Sequence, residues 1–231
     1  MVRTVLDALY RRIRPRVAGR FQPYNYTLPD RYPWLFRFAA ERLERGCELK
    51  ILSFGCSRGD EVFALRKYFP GATIRGIDAD PRNISMCRAR SLAQGEENTT
   101  FVTAATTHGE EANAYDAIFC LAVLCHGDLT ASGARRSDPL FRFDEFERAV
   151  TDLARCLKPG GLLLLHSTNF RFCDTMIARC FDVVLEAEAS QLGTDVLFDR
   201  RNMLLEGEQY RAVAFQKRIS PGCEAAGALP L

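Results

Sequence analysis

The segment Ile51–Glu61 constrains the fold of this chain more than any other. An apolar run ends at Phe54, and a turn of small residues lies between Gly55 and Gly59. Helix-forming residues follow at once. A buried strand, a tight turn and a helix N-terminus in this order are typical of ligand sites in open α/β sheets. The segment therefore predicts an α/β fold with a ligand at the carboxyl end of its first strand.

A carboxylate follows the second apolar run of the chain. Asp78 comes directly after Thr73–Ile77, about twenty residues beyond the glycine turn. In nucleotide-binding folds, an acid at this distance accepts hydrogen bonds from ribose hydroxyls. The turn and the acid together predict a cofactor that contains ribose, and they leave open which cofactor it is.

Strand-like and helix-like segments alternate along most of the chain. The predicted strands are Leu49–Phe54, Thr73–Ile77, Thr100–Ala104, Asp116–Ala122, Gly161–His166, Asp182–Ala187 and Arg211–Lys217. The predicted helices are Trp34–Arg45, Asp60–Tyr68, Pro81–Leu92, Phe143–Leu157 and Phe172–Cys180. Such alternation predicts a doubly wound, Rossmann-like α/β sheet of seven strands with helices on both faces. Because no helix separates the last two strands, we expect the last strand to be antiparallel.

We expect a single domain over residues 1–231, with residues 1–46 as a helical lid or cap and residues 47–231 as the cofactor-binding core. Arginines and apolar residues recur at roughly helical spacing within residues 1–20. We prefer a packing helix with a solvated basic face to a helix that contacts a membrane surface or RNA.

The composition argues against several classes of protein. The formal net charge is +2, so no global field attracts nucleic acid. The nine cysteines include no C-x-x-C pair and no histidine at zinc-like spacing, so no metal is expected. Most of them lie in apolar or helical segments, which favours reduced thiols and a cytoplasmic location. No apolar run approaches the roughly 18 residues of a membrane span, so no membrane partner is expected.

The glycine turn is a poor dinucleotide fingerprint. A G-x-G-x-x-G pattern counted from Gly55 would need glycine where Ser57 and Asp60 stand. Asp60 and Glu61 would also repel a pyrophosphate at the start of the helix. S-adenosylmethionine carries a ribose, a sulfonium and an ammonium group, so charge favours it over NAD or FAD. A nucleophile elbow with Ser57 is an alternative, whereas a Walker phosphate loop does not fit the sequence.

Five segments in register give a resemblance to a known family. They are Gly55–Glu61, Gly76–Asp80, Tyr115–Cys120, Leu157–Gly161 and His166–Phe170. With these segments in this order, the chain resembles class I S-adenosylmethionine-dependent methyltransferases. Its core is similar to the chemotaxis-receptor glutamate methyltransferases within that class. The resemblance spans roughly residues 50–170, and it implies methyl transfer from S-adenosylmethionine.

The resemblance also implies which residues would hold the cofactor. Asp78 would hold the ribose, and Arg31 would reach the methionine carboxylate with Thr27 nearby. The turn after the first strand and the end of the fourth strand would supply the other contacts. The full set expected at the cofactor is Arg31, Gly55, Cys56, Ser57, Gly59, Glu61, Asp78, Ala79, Leu121 and Ala122.

The substrate side departs from the chemotaxis enzymes. Leu121 and Ala122 stand in place of an Arg-Asn pair, and His126 stands in place of a tyrosine. The stretch before the core is too short for their helical N-terminal domain. The stretch between Arg90 and Tyr115 is too short for the β-insertion that docks on the receptor. The resemblance therefore implies methyl transfer without implying glutamate methylation.

Six side chains are candidates for the acceptor side. His126 follows the fourth strand, where open α/β sheets place their ligands, and it is the candidate catalytic base. His166 closes the fifth strand and would either contact the acceptor or form structural hydrogen bonds. The other candidates for acceptor binding are Tyr24, Tyr26, Arg135 and Arg136. The two arginines would recognise an anionic acceptor or lie on solvated surface.

We therefore expect an enzyme that transfers a methyl group to oxygen or nitrogen of a small molecule by direct displacement. The alternatives are a protein carboxyl methyltransferase and a cofactor-binding subunit without activity. An NAD-linked enzyme is disfavoured by the glycine pattern. A homodimer is compatible with the sequence, and the sequence does not identify the acceptor.

Overall fold

A computed structural model describes residues 21–22, 24–25, 27–28, 30–43 and 48–219. Its strands are β1 (Lys50–Phe54), β2 (Thr73–Asp78), β3 (Thr99–Thr103), β4 (Tyr115–Leu121), β5 (Leu157–His166), β6 (Phe181–Glu186) and β7 (Ala212–Lys217). They form one sheet in the order β3-β2-β1-β4-β5-β7-β6. β7 pairs antiparallel with both β5 and β6, and the other pairs are parallel. The predicted seven-stranded sheet with an antiparallel last strand is confirmed.

Helices cover both faces of this sheet, as predicted. The helices are α1 (Pro33–Arg42), α2 (Asp60–Tyr68), α3 (Pro81–Gln94), α4 (Gly127–Ala131) and α5 (Phe143–Cys156). Alternate residues of a strand face opposite sides, so a buried sheet separates two apolar layers. Leu35 of α1 and Val62 of α2 belong to one layer, and Phe146 of α5 belongs to the other.

The central strands are apolar on both faces, which is typical of a covered parallel sheet. In β1, Ile51 packs into one layer and Leu52 into the other. Ser53 is the polar exception, and it is fully buried. The strand order reverses between β1 and β4. Such a reversal opens a crevice at the carboxyl ends of the strands, where this architecture places its ligands.

The helix predicted over Phe172–Cys180 is wrong. The segment forms two 3₁₀ turns, Phe172–Asp174 and Met176–Cys180. Thr175 between them has an extended backbone, with φ −86° and ψ 153°. Its hydroxyl donates to the carbonyl of Phe172 at 2.7 Å, which ends the first turn and prevents a continuous helix.

Two other boundaries differ from the predictions. α1 ends at Arg42 because Leu43 is extended, and residues 44–47 lie outside the described part of the chain. The predicted loop over residues 127–142 contains the short helix α4, and Arg136 forms an isolated β-bridge with Met203. Residues 1–20 also lie outside the described residues, so the helical lid stays a prediction.

The described residues contain neither a membrane-spanning helix nor a cluster of metal ligands. No helix there is both long enough and apolar enough to cross a membrane. In the same part of the chain, no three His, Cys, Asp or Glu side chains are grouped so that they could hold a metal ion.

Candidate functional site

An open cleft lies at the carboxyl ends of the central strands, at the point where the strand order reverses. Its empty volume, which includes space open to solvent, is about 890 Å³. Nine of the ten residues predicted at the cofactor line it: Arg31, Gly55, Cys56, Ser57, Glu61, Asp78, Ala79, Leu121 and Ala122. The structure thus brings together residues from the segment before α1, the turn after β1, the first turn of α2 and the ends of β2 and β4.

The turn after β1 depends on glycine at two positions. Gly55 has φ +76°, and a Cβ there would lie 2.4 Å from Cγ2 of Val123. Gly59, the tenth predicted residue, does not line the cleft. It has φ +87° and starts α2 as its N-cap, and a Cβ there would lie 2.9 Å from the ring of Phe63. Gly55 therefore shapes the cleft itself, whereas Gly59 turns the chain into the helix.

Ser57 lies between these glycines and carries an unsatisfied polar atom. Its Oγ is buried, lines the cleft, and has no hydrogen-bond partner among the described residues. Its backbone is also left-handed, with φ +50°. Buried hydroxyls are nearly always hydrogen-bonded, so this atom indicates a ligand or water in the cleft.

Asp78 is held in one orientation by three hydrogen bonds. Its Oδ2 accepts from the backbone N–H of Ser57 at 2.8 Å. Its Oδ1 accepts from the backbone N–H of Asp80 at 2.8 Å and from the side-chain amide of Asn83 at 3.0 Å. A carboxylate has about four acceptor positions. The free position allows Asp78 to accept from a ribose hydroxyl without moving.

Glu61 is the acid that faces the cleft. Burial raises the pKa of its carboxyl from 4.5 to about 7, opposed by a hydrogen bond from Ser53 and by the charge of Arg31. The Ser53 hydroxyl donates to Oε1 at 2.7 Å. Asp60 does not line the cleft, because it forms an ion pair with Arg90 at 2.7 Å. The predicted pair of acids at the ligand is therefore corrected to a single one.

The strand ends at the cleft have unusual backbone conformations. Ala122 after β4 has φ +57°, and Ser167 after β5 has φ +53°. The backbone N–H of Ala122 donates to the carbonyl of His166 at 2.9 Å, so the two strands stay paired up to this point. Left-handed residues other than glycine are strained, and such residues cluster at functional sites.

A second cavity lies beside the cleft, behind Tyr32. Tyr32 lines the cleft, and its ring packs on that of His166 with centroids 4.7 Å apart. Burial raises the pKa of the Tyr32 hydroxyl. The second cavity has an empty volume of about 490 Å³, which includes space open to solvent, and its lining includes His166, Ser167, Asp195 and Tyr210. The packed rings of Tyr32 and His166 therefore lie between two adjoining spaces.

His166 lines only the second cavity and is 4% exposed. Its Nε2 lies 2.9 Å from the carbonyl of Gln191, so Nε2 carries the proton. Its Nδ1 lies 3.0 Å from the Ser167 hydroxyl and accepts from it. Burial lowers the pKa of the imidazole. His166 is thus neutral and in structural hydrogen bonds at the edge of the second cavity.

His126 lines neither of these two spaces. Its backbone N–H donates to Oδ1 of Asn169 at 2.6 Å. The side-chain amide of Asn169 donates to the carbonyl of Val196 at 2.9 Å. Asn169 is fully buried, and it connects the segments that follow β4 and β5 with the loop around Val196. Catalysis by His126 stays a prediction.

The remaining acceptor candidates are separated. Tyr24 lines the cleft, and its hydroxyl donates to Asp128. Arg135 and Arg136 line neither space, because they are exposed and form ion pairs with Glu206 at 2.9 Å and Asp138 at 2.8 Å. Tyr26 lies outside the described residues.

Sequence reasoning missed several residues of the site. Tyr32, Val123 and Asn83 were not predicted, and no local pattern distinguishes them. Ser53 could have been found, because it is the single polar residue in the apolar run of β1. A buried hydroxyl in such a strand needs a hydrogen-bond partner, and here the partner is Glu61.

Comparison with known proteins gives one family. Residues 52–163, just under half of the chain, match a family model described as a methyltransferase domain. No curated protein matches the chain. The matched range contains the turn after β1, Asp78 and the end of β4, and these line the cleft.

The fold is also similar to several solved structures. The YcgJ protein from Bacillus subtilis is 20% identical, with 61% of this chain and 51% of that chain covered and a TM-score of 0.46. The phosphoethanolamine N-methyltransferase 2 of Haemonchus contortus is 17% identical, with coverages of 61% and 29% and a TM-score of 0.44. A SAM-dependent methyltransferase from Aquifex aeolicus is 16% identical, with coverages of 69% and 70% and a TM-score of 0.43. The chain spans about half the length of the first of these, and likenesses at this level carry no conclusion about substrate.

The match is to a methyltransferase domain over residues 52–163, and S-adenosylmethionine is the cofactor to compare with the cleft. The residues of the cleft fit that group, because an oriented carboxylate, an unsatisfied hydroxyl and a buried acid meet where the strand order reverses. The similarity to the chemotaxis-receptor enzymes is not part of this match.

Proposed function

We propose that the protein transfers the methyl group of S-adenosylmethionine to nitrogen or oxygen of a small molecule. The observation that carries this proposal is the second cavity beside the cofactor cleft. Tyr32 of the cleft packs on His166 of the cavity, with ring centroids 4.7 Å apart. An acceptor bound there would be close to the cofactor and partly enclosed, as direct displacement requires.

The cofactor residues have separate roles in this proposal. Asp78 and Ser57 hold the ribose side, Glu61 faces the ammonium group, and Arg31 faces the carboxylate. When bound, the cofactor supplies a methyl group that its sulfonium already activates. The chain has to position the acceptor and exclude water, and these two effects account for much of the catalysis.

The charges in the second cavity favour a nitrogen acceptor. Among the described residues, its lining contains two carboxylates, Asp195 and Glu208, and no lysine or arginine. Glu208 is balanced by Arg171 at 2.6 Å. No ion pair or hydrogen bond of the Asp195 side chain occurs among the described residues, so Asp195 is available to hold a protonated amine. An anionic acceptor would be repelled from the same position.

An acceptor that must lose a proton makes a further demand. A hydroxyl, and equally the protonated amine that Asp195 would hold, must lose a proton to a base before it can attack the methyl group, and His126 remains our candidate for that base. An amine that is already neutral would need no base in the transfer step. Methylation of a protein carboxylate and a cofactor-binding role without activity are outcomes that the experiment below distinguishes.

The first step of the experiment is calorimetric titration with S-adenosylmethionine, S-adenosylhomocysteine and NAD. We expect both adenosyl compounds to bind and NAD not to bind. Asp78→Ala should abolish binding, whereas Asp182→Ala, a change at an exposed ion pair with Arg218, should leave it intact. Folded protein that binds neither adenosyl compound would refute the assignment of the cleft.

The second step is transfer of a labelled methyl group to mixtures of amines, phenols, carboxylic acids and proteins, with the products sorted by size. We expect label in small amines, and Asp195→Asn should lower kcat/KM for them while cofactor affinity is unchanged. Label in protein alone would replace the small-molecule proposal with protein methylation. Cofactor binding without any labelled product would support the role without activity.

A further inference from the structure

Two cysteines from different elements converge beneath the cofactor turn. Cys56 is the second residue of the turn and lines the cleft, and Cys87 lies on α3. The Sγ atoms of Cys56 and Cys87 lie 3.9 and 3.3 Å from the same atom, the carbonyl oxygen of Ser57. Each thiol also shifts the pKa of the other. The two side chains therefore meet at one carbonyl oxygen.

The cleft is the approach to this pair. Cys56 is 2% exposed and Cys87 is fully buried, so neither thiol is accessible from the outer surface. Because Cys56 forms part of the cleft wall, a small oxidant can enter through the cleft. A ligand in the cleft would cover the same wall. The accessibility of the pair should therefore depend on whether cofactor is bound.

The two thiols differ in acidity. A hydrogen bond from Cys56 lowers the pKa of the Cys87 thiol, with Arg90 contributing, although burial and Asp78 oppose the effect. The same contact and burial raise the pKa of Cys56. A thiolate is the reactive form of cysteine. The pair thus combines a thiol of lowered pKa with a thiol that lines the cleft.

We propose that Cys56 and Cys87 form a reversible disulfide when the cleft is empty, and that this bond lowers the affinity for cofactor. With hydrogen peroxide as the oxidant, one thiolate of the pair attacks one peroxide oxygen and becomes a sulfenic acid, and hydroxide leaves. The sulfur of the second cysteine then attacks the sulfur of the sulfenic acid and displaces the hydroxyl group as water. The proton lost by the first thiol neutralises the hydroxide, so two thiols and one peroxide give one disulfide and two waters.

The bond would distort the cofactor turn, because covalent sulfurs must approach more closely than hydrogen-bonded ones. There is little free space around them. A Cβ on Gly76 would lie 3.0 Å from the Cys56 sulfur, and a Cβ on Gly59 would lie 3.1 Å from the Cys87 sulfur. The turn would therefore move towards α3. That movement disturbs the 2.8 Å contact from Ser57 to Asp78, which orients the ribose acceptor.

The test uses the full chain, reduced first and then exposed to hydrogen peroxide with and without S-adenosylhomocysteine. Peptide mapping by mass spectrometry should find a Cys56–Cys87 cross-link. The cross-link should form more slowly when the cleft is filled. Oxidised protein should bind S-adenosylhomocysteine at least about tenfold more weakly, a change of about 1.4 kcal/mol, and dithiothreitol should restore binding.

Variants separate this site from the other thiols. Cys87→Ser and, independently, Cys56→Ser should lose the oxidation-dependent change, whereas Cys173→Ser, at an exposed cysteine, should keep it. Three results would overturn the proposal: no Cys56–Cys87 peptide under conditions that oxidise Cys173, a cross-link with unchanged affinity, or equal rates with and without ligand. The cross-link is measured by mass and does not depend on methyl transfer, so its failure is distinct from failure of the proposed function.

Discussion

Replacing Glu61 with glutamine should change how stability depends on pH. The pKa of Glu61 is raised from 4.5 to about 7 by burial, so the folded protein binds this proton more tightly than the unfolded chain. The resulting stabilisation is complete below pH 4.5 and is lost as the pH rises through 7. Each tenfold change in an acid constant corresponds to about 1.36 kcal/mol, so the whole effect is about 3 kcal/mol as an upper limit. Of this, about 2.5 kcal/mol should be lost between pH 5 and pH 8.

Glutamine removes this dependence and can still accept the 2.7 Å hydrogen bond from Ser53. Urea unfolding without cofactor, at pH 5, 6, 7 and 8, would measure the free energy of unfolding of both proteins. The wild type should lose stability relative to Glu61→Gln as the pH rises. Glu41→Gln, at an exposed position on α1, controls for the loss of one carboxylate. Curves for wild type and Glu61→Gln that stay parallel within a few tenths of a kcal/mol would refute the argument.

Three further changes test other parts of the site. Gly55→Ala should lower the free energy of unfolding in urea by about 2–4 kcal/mol, because the alanine would be left-handed and its Cβ would clash with Val123. The control is Gly95→Ala, at a left-handed position with open space around it, and it should lower the free energy of unfolding by only about 1–2 kcal/mol. Equal losses in the two variants would contradict the steric argument. Asn169→Ala should lower the free energy of unfolding by about 2–3 kcal/mol, because the backbone N–H of His126 and the carbonyl of Val196 would lose their hydrogen-bond partner. Asn98→Ala, at an exposed position, should leave the free energy of unfolding nearly unchanged. Replacing Arg135 and Arg136 together with alanine should leave kcat/KM within about twofold of the wild-type value. A tenfold loss would instead support the interpretation that the two arginines recognise an anionic acceptor.

The fold was predictable because its determinants are local. The run of β1 is apolar on both faces, which only a covered parallel strand explains well, and the glycine turn and Asp78 follow their strands directly. The helix over Phe172–Cys180 failed for an equally local reason. Its apolar spacing suits a helix, but Thr175 hydrogen-bonds to the carbonyl of Phe172 and ends the turn.

The site was only partly predictable, because some of its contacts join distant segments. Nothing near Tyr32 in the sequence indicates that its ring packs on His166. Asn169 likewise connects His126 and Val196, and each partner is known only from the folded chain. The length of the loop that holds Arg135 indicates that it lies at the surface, but not which way its side chains turn.

The position of β7 makes the edge of the sheet dependent on the last part of the described chain. β6 pairs with no described strand other than β7, and β7 lies between it and β5. Hydrogen bonds from Lys217 hold the end of β7 in place. The buried ammonium group of Lys217 donates to the carbonyls of Ala154 at 2.8 Å and Leu157 at 2.6 Å. On the ribosome, one edge of β5 and the whole of β6 therefore have no partner strand until residues 212–217 have been synthesised. Open edges invite pairing with other chains, so a ribosome that stalls shortly before residue 212 would release a fragment prone to aggregation.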